Sequence, residues 1–154
     1  MSGKRVDRDE HYILNLCDAL LGVECQRQAP MPFLLGDKSP KTGRARMLPV
    51  DGLYKDLKLV IEYHERQHTE SVPFFDRKLT VSGMTRGQQR RIYDQRRRDN
   101  LPENGYRLVE INLADLQPSG GRKLTRNRDR HSEVIRRMLL DAEVELPVAV
   151  TRAL

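Results

Sequence analysis

The sequence predicts an α/β fold in which helices flank a central sheet of about four strands. Three segments repeat apolar residues at helical spacing, and four shorter runs are apolar and extended in character. The chain has 154 residues, a length typical of one domain with a sizeable hydrophobic core. We therefore treat residues 1–154 as a single domain.

Three helices are predicted, and a recognisable signal ends the first two. The first covers residues 7–21 as an amphipathic helix, and Gly22 ends it. The second covers residues 87–101 and is expected to end before Pro102, because a residue preceding proline disfavours helical geometry. The third covers residues 127–143.

The extended segments differ in what they predict about the sheet. Residues 24–35 contain Pro30 and Pro32, which donate no backbone hydrogen bond, so this segment is at best an edge strand. Residues 48–64 form a central hairpin of two apolar runs. Residues 106–111 form a further strand, entered through an Asn-Gly turn.

The central hairpin contains one acidic residue in each of its apolar runs. If Tyr54 pairs with Leu59 across a four-residue loop, Asp51 lies opposite Glu62. Their β-carbons would then be roughly 5 Å apart. His64, two residues beyond Glu62, would share the same face because side chains alternate along a strand.

Such a pair of carboxylates predicts a divalent cation, because two like charges at this separation repel each other unless a cation lies between them. A register shift of one residue would turn one carboxylate away. The alternative is that Asp51 is a turn or capping residue and Glu62 an acid on an edge strand.

The charge balance favours a polyanionic partner. The formal net charge is +6, and most of the basic residues are arginines, which suit forked contacts to phosphate. Nucleic acid is therefore favoured over a membrane surface. The candidate nucleic-acid contacts lie on the second predicted helix: Arg86, Arg90, Arg91, Arg97 and Arg98.

The arginines of this helix have two other interpretations. Each one could be a solvated surface charge. Asp94 lies three residues before Arg97 and four before Arg98, so part of the cluster could be an intrahelical ion pair.

Cysteine usage and hydropathy predict an intracellular protein. Cys17 and Cys25 form no zinc-binding pattern. The N-terminal segment lacks the apolar stretch of a signal peptide, and no run has the length needed to span a membrane. We therefore expect a cytoplasmic, nucleoid-associated protein.

Taken together, these segments resemble the restriction-endonuclease-like superfamily of PD-(D/E)XK nucleases, in particular its small members related to very-short-patch mismatch-repair endonucleases. Pro49-Val50-Asp51 resembles the first half of the motif, Glu62-Tyr63-His64 the second, and His68 the downstream histidine. The family's D-x-x-R-x-x-x-L-x-x-x-G pattern is matched by Asp94, Arg97, Leu101 and Gly105. The resemblance extends over residues 9–112 and implies a restriction-endonuclease-like core with a mixed sheet.

The chain also departs from the family pattern. His64 replaces the usual lysine, and Val50 replaces the aspartate of the literal PD pair. The cysteines of the structural zinc site found in mismatch-repair relatives are missing. Mismatch specificity is therefore not inferred.

The resemblance implies Mg²⁺-dependent hydrolysis of phosphodiester bonds, with Mn²⁺ as a substitute. Asp51, Glu62 and the backbone carbonyl of Tyr63 would bind the metal. His64 would orient or deprotonate the attacking water or ligate the metal, and His68 would polarise the phosphate or assist the leaving group.

Glu10 is a candidate outer metal ligand, with a surface acid as the alternative, and Asp94 is a second candidate accessory residue. The expected substrate is double-stranded DNA. A monomer would nick it, whereas a twofold homodimer would cut both strands. The alternatives are a DNA-binding module of the same fold without activity, and a nuclease for RNA or branched DNA.

Overall fold

The fold is described by a computed structural model covering residues 5–65 and 85–147. Helices and strands follow one another in an α/β order that confirms the predicted class. The elements are α1 (Arg5–Leu21), β1 (Gln26–Leu35), β2 (Met47–Tyr54), β3 (Leu59–His64), α2 (Arg86–Glu103), β4 (Arg107–Asn112), α3 (Leu113–Leu116) and α4 (Arg128–Asp141).

The four strands form one mixed sheet in the order β1-β2-β3-β4. Strand β2 is antiparallel to both β1 and β3, and β4 runs parallel to β3. The predicted edge position of the proline-containing segment is confirmed, because β1 lies at one end of the sheet. Its register with β2 shifts after Pro30.

The sheet is covered on both faces, and this makes β3 a buried strand. Helices α1 and α4 pack on one face around Leu59 and Ile61. Helix α2 packs on the other face, where Leu101 meets Val60. Every residue from Leu59 to Tyr63 is therefore buried, and Glu62 is an acid within a core strand.

The predicted end of the second helix is wrong. Helix α2 continues through Pro102 to Glu103 instead of ending at Leu101. Proline removes one N–H donor near the end of a helix, but the last turn still closes, since the Asn104 N–H bonds to the carbonyls of Asn100 and Leu101. Gly105, at φ +84°, then turns the chain toward β4.

The boundaries of the other predicted helices agree with the structure within two residues. Helix α1 is longer by two residues than the predicted 7–21 and ends before Gly22, which has φ +74°. Helix α4 lies within the predicted 127–143, with the Asn127 side chain accepting the Arg130 N–H as its N-cap.

Substituting Gly52 should destabilise the hairpin. An added Cβ would lie 2.7 Å from Leu14 Cδ2 and 3.0 Å from Cys25 Sγ, and the Leu14 side chain is fully buried in α1. We expect Gly52→Ala to lower the free energy of unfolding by about 1–3 kcal/mol in urea titrations, the range for an overpacked core. Because Leu14→Ala removes the clashing atoms, the double variant should lose less than the sum of the single losses. A Gly52→Ala protein as stable as wild type would contradict this packing.

Candidate active site

The register of the central hairpin is the one that the sequence predicts. Tyr54 pairs with Leu59, and Gly52 pairs with Ile61. The loop between them is a 3-10 turn closed by Lys58 in left-handed geometry, at φ 49°. Continuing this register by one residue brings the Asp51 and Glu62 positions opposite each other.

At that position the two carboxylates bond to the backbone of the facing strand. The Asp51 N–H donates to Glu62 Oε2 at 2.5 Å, and the Tyr63 N–H donates to Asp51 Oδ2 at 2.8 Å. Because each carboxylate accepts a bond from the opposite strand, each is held in place relative to the other. Asp51 and Glu62 are therefore neighbours across the hairpin, as the predicted register requires.

Glu62 is buried in conditions that disfavour its charge. The residue is only 4% exposed. Burial and the neighbouring Asp51 carboxylate raise the pKa of Glu62 to about 8, although the Arg97 guanidinium acts in the opposite direction. At this position Glu62 is more stable when it is protonated or when a further positive charge lies beside it.

Arg97 connects α2 to the hairpin. Its Nε lies 3.3 Å from Glu62 Oε1, an ion-pair contact without hydrogen-bond geometry. Its two terminal nitrogens donate to Asp94 Oδ1 at 3.1 Å and to the Pro49 carbonyl at 2.9 Å. The side chain is therefore turned into the protein, and the intrahelical pair with Asp94 is present. These contacts indicate that Arg97 holds the acidic pair in place and does not form a surface contact to DNA.

His64 is bonded to an acid on the neighbouring strand. His64 Nε2 lies 3.0 Å from Glu110 Oε1, and Arg98 donates to both Glu110 oxygens at 2.9 and 3.0 Å. The sequence analysis missed Glu110. The signal that could have found it is the parallel register of β3 and β4, in which Glu110 pairs with Glu62.

A third acid lies next to Asp51. Gln28 Nε2 donates to Glu10 Oε2 at 2.7 Å and to Asp51 Oδ1 at 3.2 Å. Gln28 has φ +45°, a conformation that is uncommon for residues other than glycine and often found at functional sites. The candidate accessory residue Glu10 is thus linked to the acidic pair through the side-chain amide of Gln28. The sequence analysis did not identify Gln28.

The other candidate residues are placed as follows. Tyr63 packs its side chain into the core under α1 and α4, so only its backbone can join the site. Arg86, Arg90 and Arg91 are exposed along the N-terminal half of α2. His68 lies outside the described residues.

The part of the chain that the structure describes contains no group of three or more His, Cys, Asp and Glu side chains that could hold a metal ion. The donors that do converge are the carboxylates of Asp51 and Glu62. Both are hard oxygen ligands of the type that Mg²⁺ and Mn²⁺ prefer. An ionised carboxylate has about four lone-pair positions, so one that accepts two N–H bonds can still coordinate a cation. The two carboxylates are therefore ligands of the chemical type that suits Mg²⁺ or Mn²⁺.

Comparisons of the chain with protein-family models, curated proteins and solved structures gave no match. Within residues 5–65 and 85–147, no helix combines the length and apolar composition needed to cross a membrane.

Proposed function

We propose that this protein is a metal-dependent endonuclease that hydrolyses phosphodiester bonds in double-stranded DNA. The observation that supports this most strongly is the Asp51–Glu62 pair, in which a buried acid with a raised pKa accepts a hydrogen bond from the backbone N–H of the second acid. The motif resemblance to PD-(D/E)XK nucleases and the net charge of +6 point to the same class of substrate.

Asp51, Glu62 and the backbone carbonyl of Tyr63 would hold the metal ion. When bound, Mg²⁺ or Mn²⁺ would lower the pKa of a water molecule and neutralise charge on the phosphate during hydrolysis. Arg97 would keep Glu62 in position from the side of α2, since it lies within 3.3 Å of the carboxylate. Glu10 would act from outside this pair, through Gln28.

His64 would take a proton from the attacking water. The water oxygen would form a bond to phosphorus while the bond from phosphorus to the leaving oxygen breaks. The leaving oxygen would then acquire a proton, and the products would be a phosphomonoester and an alcohol. His68 is the candidate for assisting this departure.

The exposed arginines of α2 would bind the phosphate backbone. Replacing Arg86 and Arg90, which lie one helical turn apart, with glutamine should weaken DNA binding. Each lost phosphate contact should reduce the slope of log affinity against log salt by about 0.9. Fluorescence anisotropy across a salt series would measure both effects.

The matched control for this prediction is the Arg136→Gln/Arg137→Gln variant, in which the replaced arginines contact Glu133 on α4. It removes the same charge and should leave the salt slope close to that of wild type. Equal losses in the two variants would show that only net charge matters, which would contradict a DNA-binding face on α2.

The test of the function is cleavage of supercoiled plasmid in Mg²⁺, in Mn²⁺ and in EDTA. We expect metal-dependent conversion that EDTA abolishes. The ratio of nicked to linear product would distinguish a monomer from a twofold dimer. No cleavage with either metal, together with salt-sensitive binding, would contradict the proposal and favour a DNA-binding module without activity. Cleavage restricted to RNA or branched DNA would change the substrate but not the chemistry.

A further inference from the structure

A chain of three polar side chains crosses from β3 through β4 to α2 beside the acidic pair. His64 Nε2 contacts Glu110 Oε1 at 3.0 Å. Arg98 donates hydrogen bonds to Glu110 from two nitrogens, with Nε 2.9 Å from Oε2 and Nη2 3.0 Å from Oε1. All three side chains are largely shielded, with 13%, 25% and 33% exposure for His64, Glu110 and Arg98.

Glu110 is held in its ionised form. Burial alone would raise the pKa of Glu110, but the hydrogen bonds from His64 and Arg98 outweigh this effect and lower the pKa to about 2. An ionised carboxylate only accepts hydrogen bonds. The imidazole nitrogen that faces it must therefore carry a proton.

This requirement fixes the tautomer of the ring. In neutral His64 the proton lies on Nε2, which donates to Glu110, and Nδ1 holds the lone pair. A carboxylate that binds one imidazole nitrogen in this way sets both the tautomer and the orientation of the ring. The forked contact from Arg98 keeps the carboxylate from rotating away from His64.

We propose that Glu110 is a positioning residue that fixes His64 in its Nε2-protonated tautomer, so that Nδ1 accepts the proton from the attacking water, with Arg98 as the clamp on Glu110. The assignment rests on the endonuclease activity proposed above. In this assignment Arg98 holds Glu110 in place, and the exposed arginines of α2 remain the proposed contacts to DNA.

Glu110→Leu tests this assignment, because it removes the acceptor that faces His64 Nε2 and keeps a side chain of similar size. Glutamine would not remove that acceptor: Glu110 Oε1 accepts from both His64 Nε2 and Arg98 Nη2, so an amide oxygen at this position would still hold the proton on Nε2. Nitrogen-15 NMR of the imidazole in the metal-free protein, at a pH where the ring is neutral, reports the tautomer directly. We expect the Nε2-protonated form in wild type and a mixture of the two tautomers in Glu110→Leu.

Cleavage kinetics give the second readout. Loss of a residue that orients a catalytic group typically costs 10- to 100-fold, and we expect about this loss in single-turnover rate with unchanged DNA affinity. Glu110→Gln keeps an oxygen acceptor for His64 Nε2 and should retain the wild-type tautomer, so it is the matched control. Arg98→Gln releases the Glu110 carboxylate and should also lower the cleavage rate, so it serves as a second variant if Glu110→Leu folds poorly. Glu103→Gln removes an exposed acid from α2 and should match wild type in both measurements.

The outcomes separate this assignment from the proposed function. If the tautomers of His64 are the same in Glu110→Leu as in wild type, or if that variant cleaves as fast as wild type, the positioning role is overturned while the nuclease activity stands. If wild type cleaves no nucleic acid, the proposed function fails and so does the catalytic part of this assignment. The NMR result would then show only whether Glu110 sets the tautomer.

Discussion

Glu62→Gln should abolish cleavage without unfolding the protein. A metal ligand contributes to stabilising charge that develops in the transition state, an effect of several kcal/mol. Since each 1.36 kcal/mol changes the rate tenfold, we expect a loss of about a thousandfold in single-turnover cleavage of plasmid DNA. Glutamine matches the shape of the carboxylate, so the Asp51 N–H retains an acceptor.

The same substitution should raise stability at alkaline pH when metal is absent. The pKa of Glu62 in the folded protein is about 8, above its ordinary value of 4.5, so the folded state favours the protonated acid. The stability that comes from this proton is fully present below pH 4.5 and is lost as pH rises through 8. Glutamine does not titrate. In urea titrations in EDTA, the free energy of unfolding of Glu62→Gln should therefore increase relative to that of wild type as the pH rises from 5 to 8.

Two results would contradict this account of Glu62. One is cleavage by Glu62→Gln at a rate close to that of wild type. The other is a stability difference in EDTA that does not change with pH. Glu103→Gln removes an exposed acid and is the control for both, because it should affect neither rate nor pH dependence.

Arg97→Ala should be among the most destabilising single substitutions in the chain. The guanidinium is only 15% exposed and faces the buried carboxylates of Glu62 and Asp94. Because the pKa of Glu62 is about 8, Glu62 can take up a proton when Arg97 is removed near neutral pH, whereas the Asp94 carboxylate loses its ion-pair partner. Removing one partner of a buried ion pair costs about 3–5 kcal/mol. At about 2–4 °C per kcal/mol for a chain of this size, thermal unfolding should occur about 10 °C lower.

The cause of this loss can be checked with a second set of variants. If uncompensated acids are responsible, adding Glu62→Gln and Asp94→Asn to Arg97→Ala should restore much of the stability. Arg91→Ala, at an exposed position on the same helix, should change the free energy of unfolding by no more than about 0.5 kcal/mol. A small loss in Arg97→Ala, or no restoration by the added variants, would contradict the role of Arg97 as the partner of both acids.

Much of the fold could be predicted from local patterns. The position of β1 at the edge of the sheet follows from Pro30 and Pro32, and the hairpin register follows from two apolar runs separated by a short polar turn. That register in turn predicts the meeting of Asp51 and Glu62. The end of α2 was predicted wrongly because a proline in the last turn costs only one hydrogen bond, and the Asn104 N–H still closes the helix beyond it.

The partners of the site residues could not be predicted, because they depend on contacts distant in sequence. Glu110 meets His64 only through the parallel pairing of β3 with β4, across 46 residues. Gln28 reaches Asp51 from β1, at a backbone conformation that its residue type rarely adopts. The arginines of α2 are alike in sequence, and Arg97 and Arg98 differ from the exposed ones in the acids that they face, Glu62 and Glu110.

The central claim is that Asp51 and Glu62 bind a divalent cation, and crystals grown with Mn²⁺ would test it most directly. We expect an anomalous difference peak within coordination distance of both carboxylates, and no such peak in Glu62→Gln crystals grown in the same way. Well-ordered wild-type crystals with no peak between these residues at saturating Mn²⁺, or with the same peak in the variant, would contradict the claim.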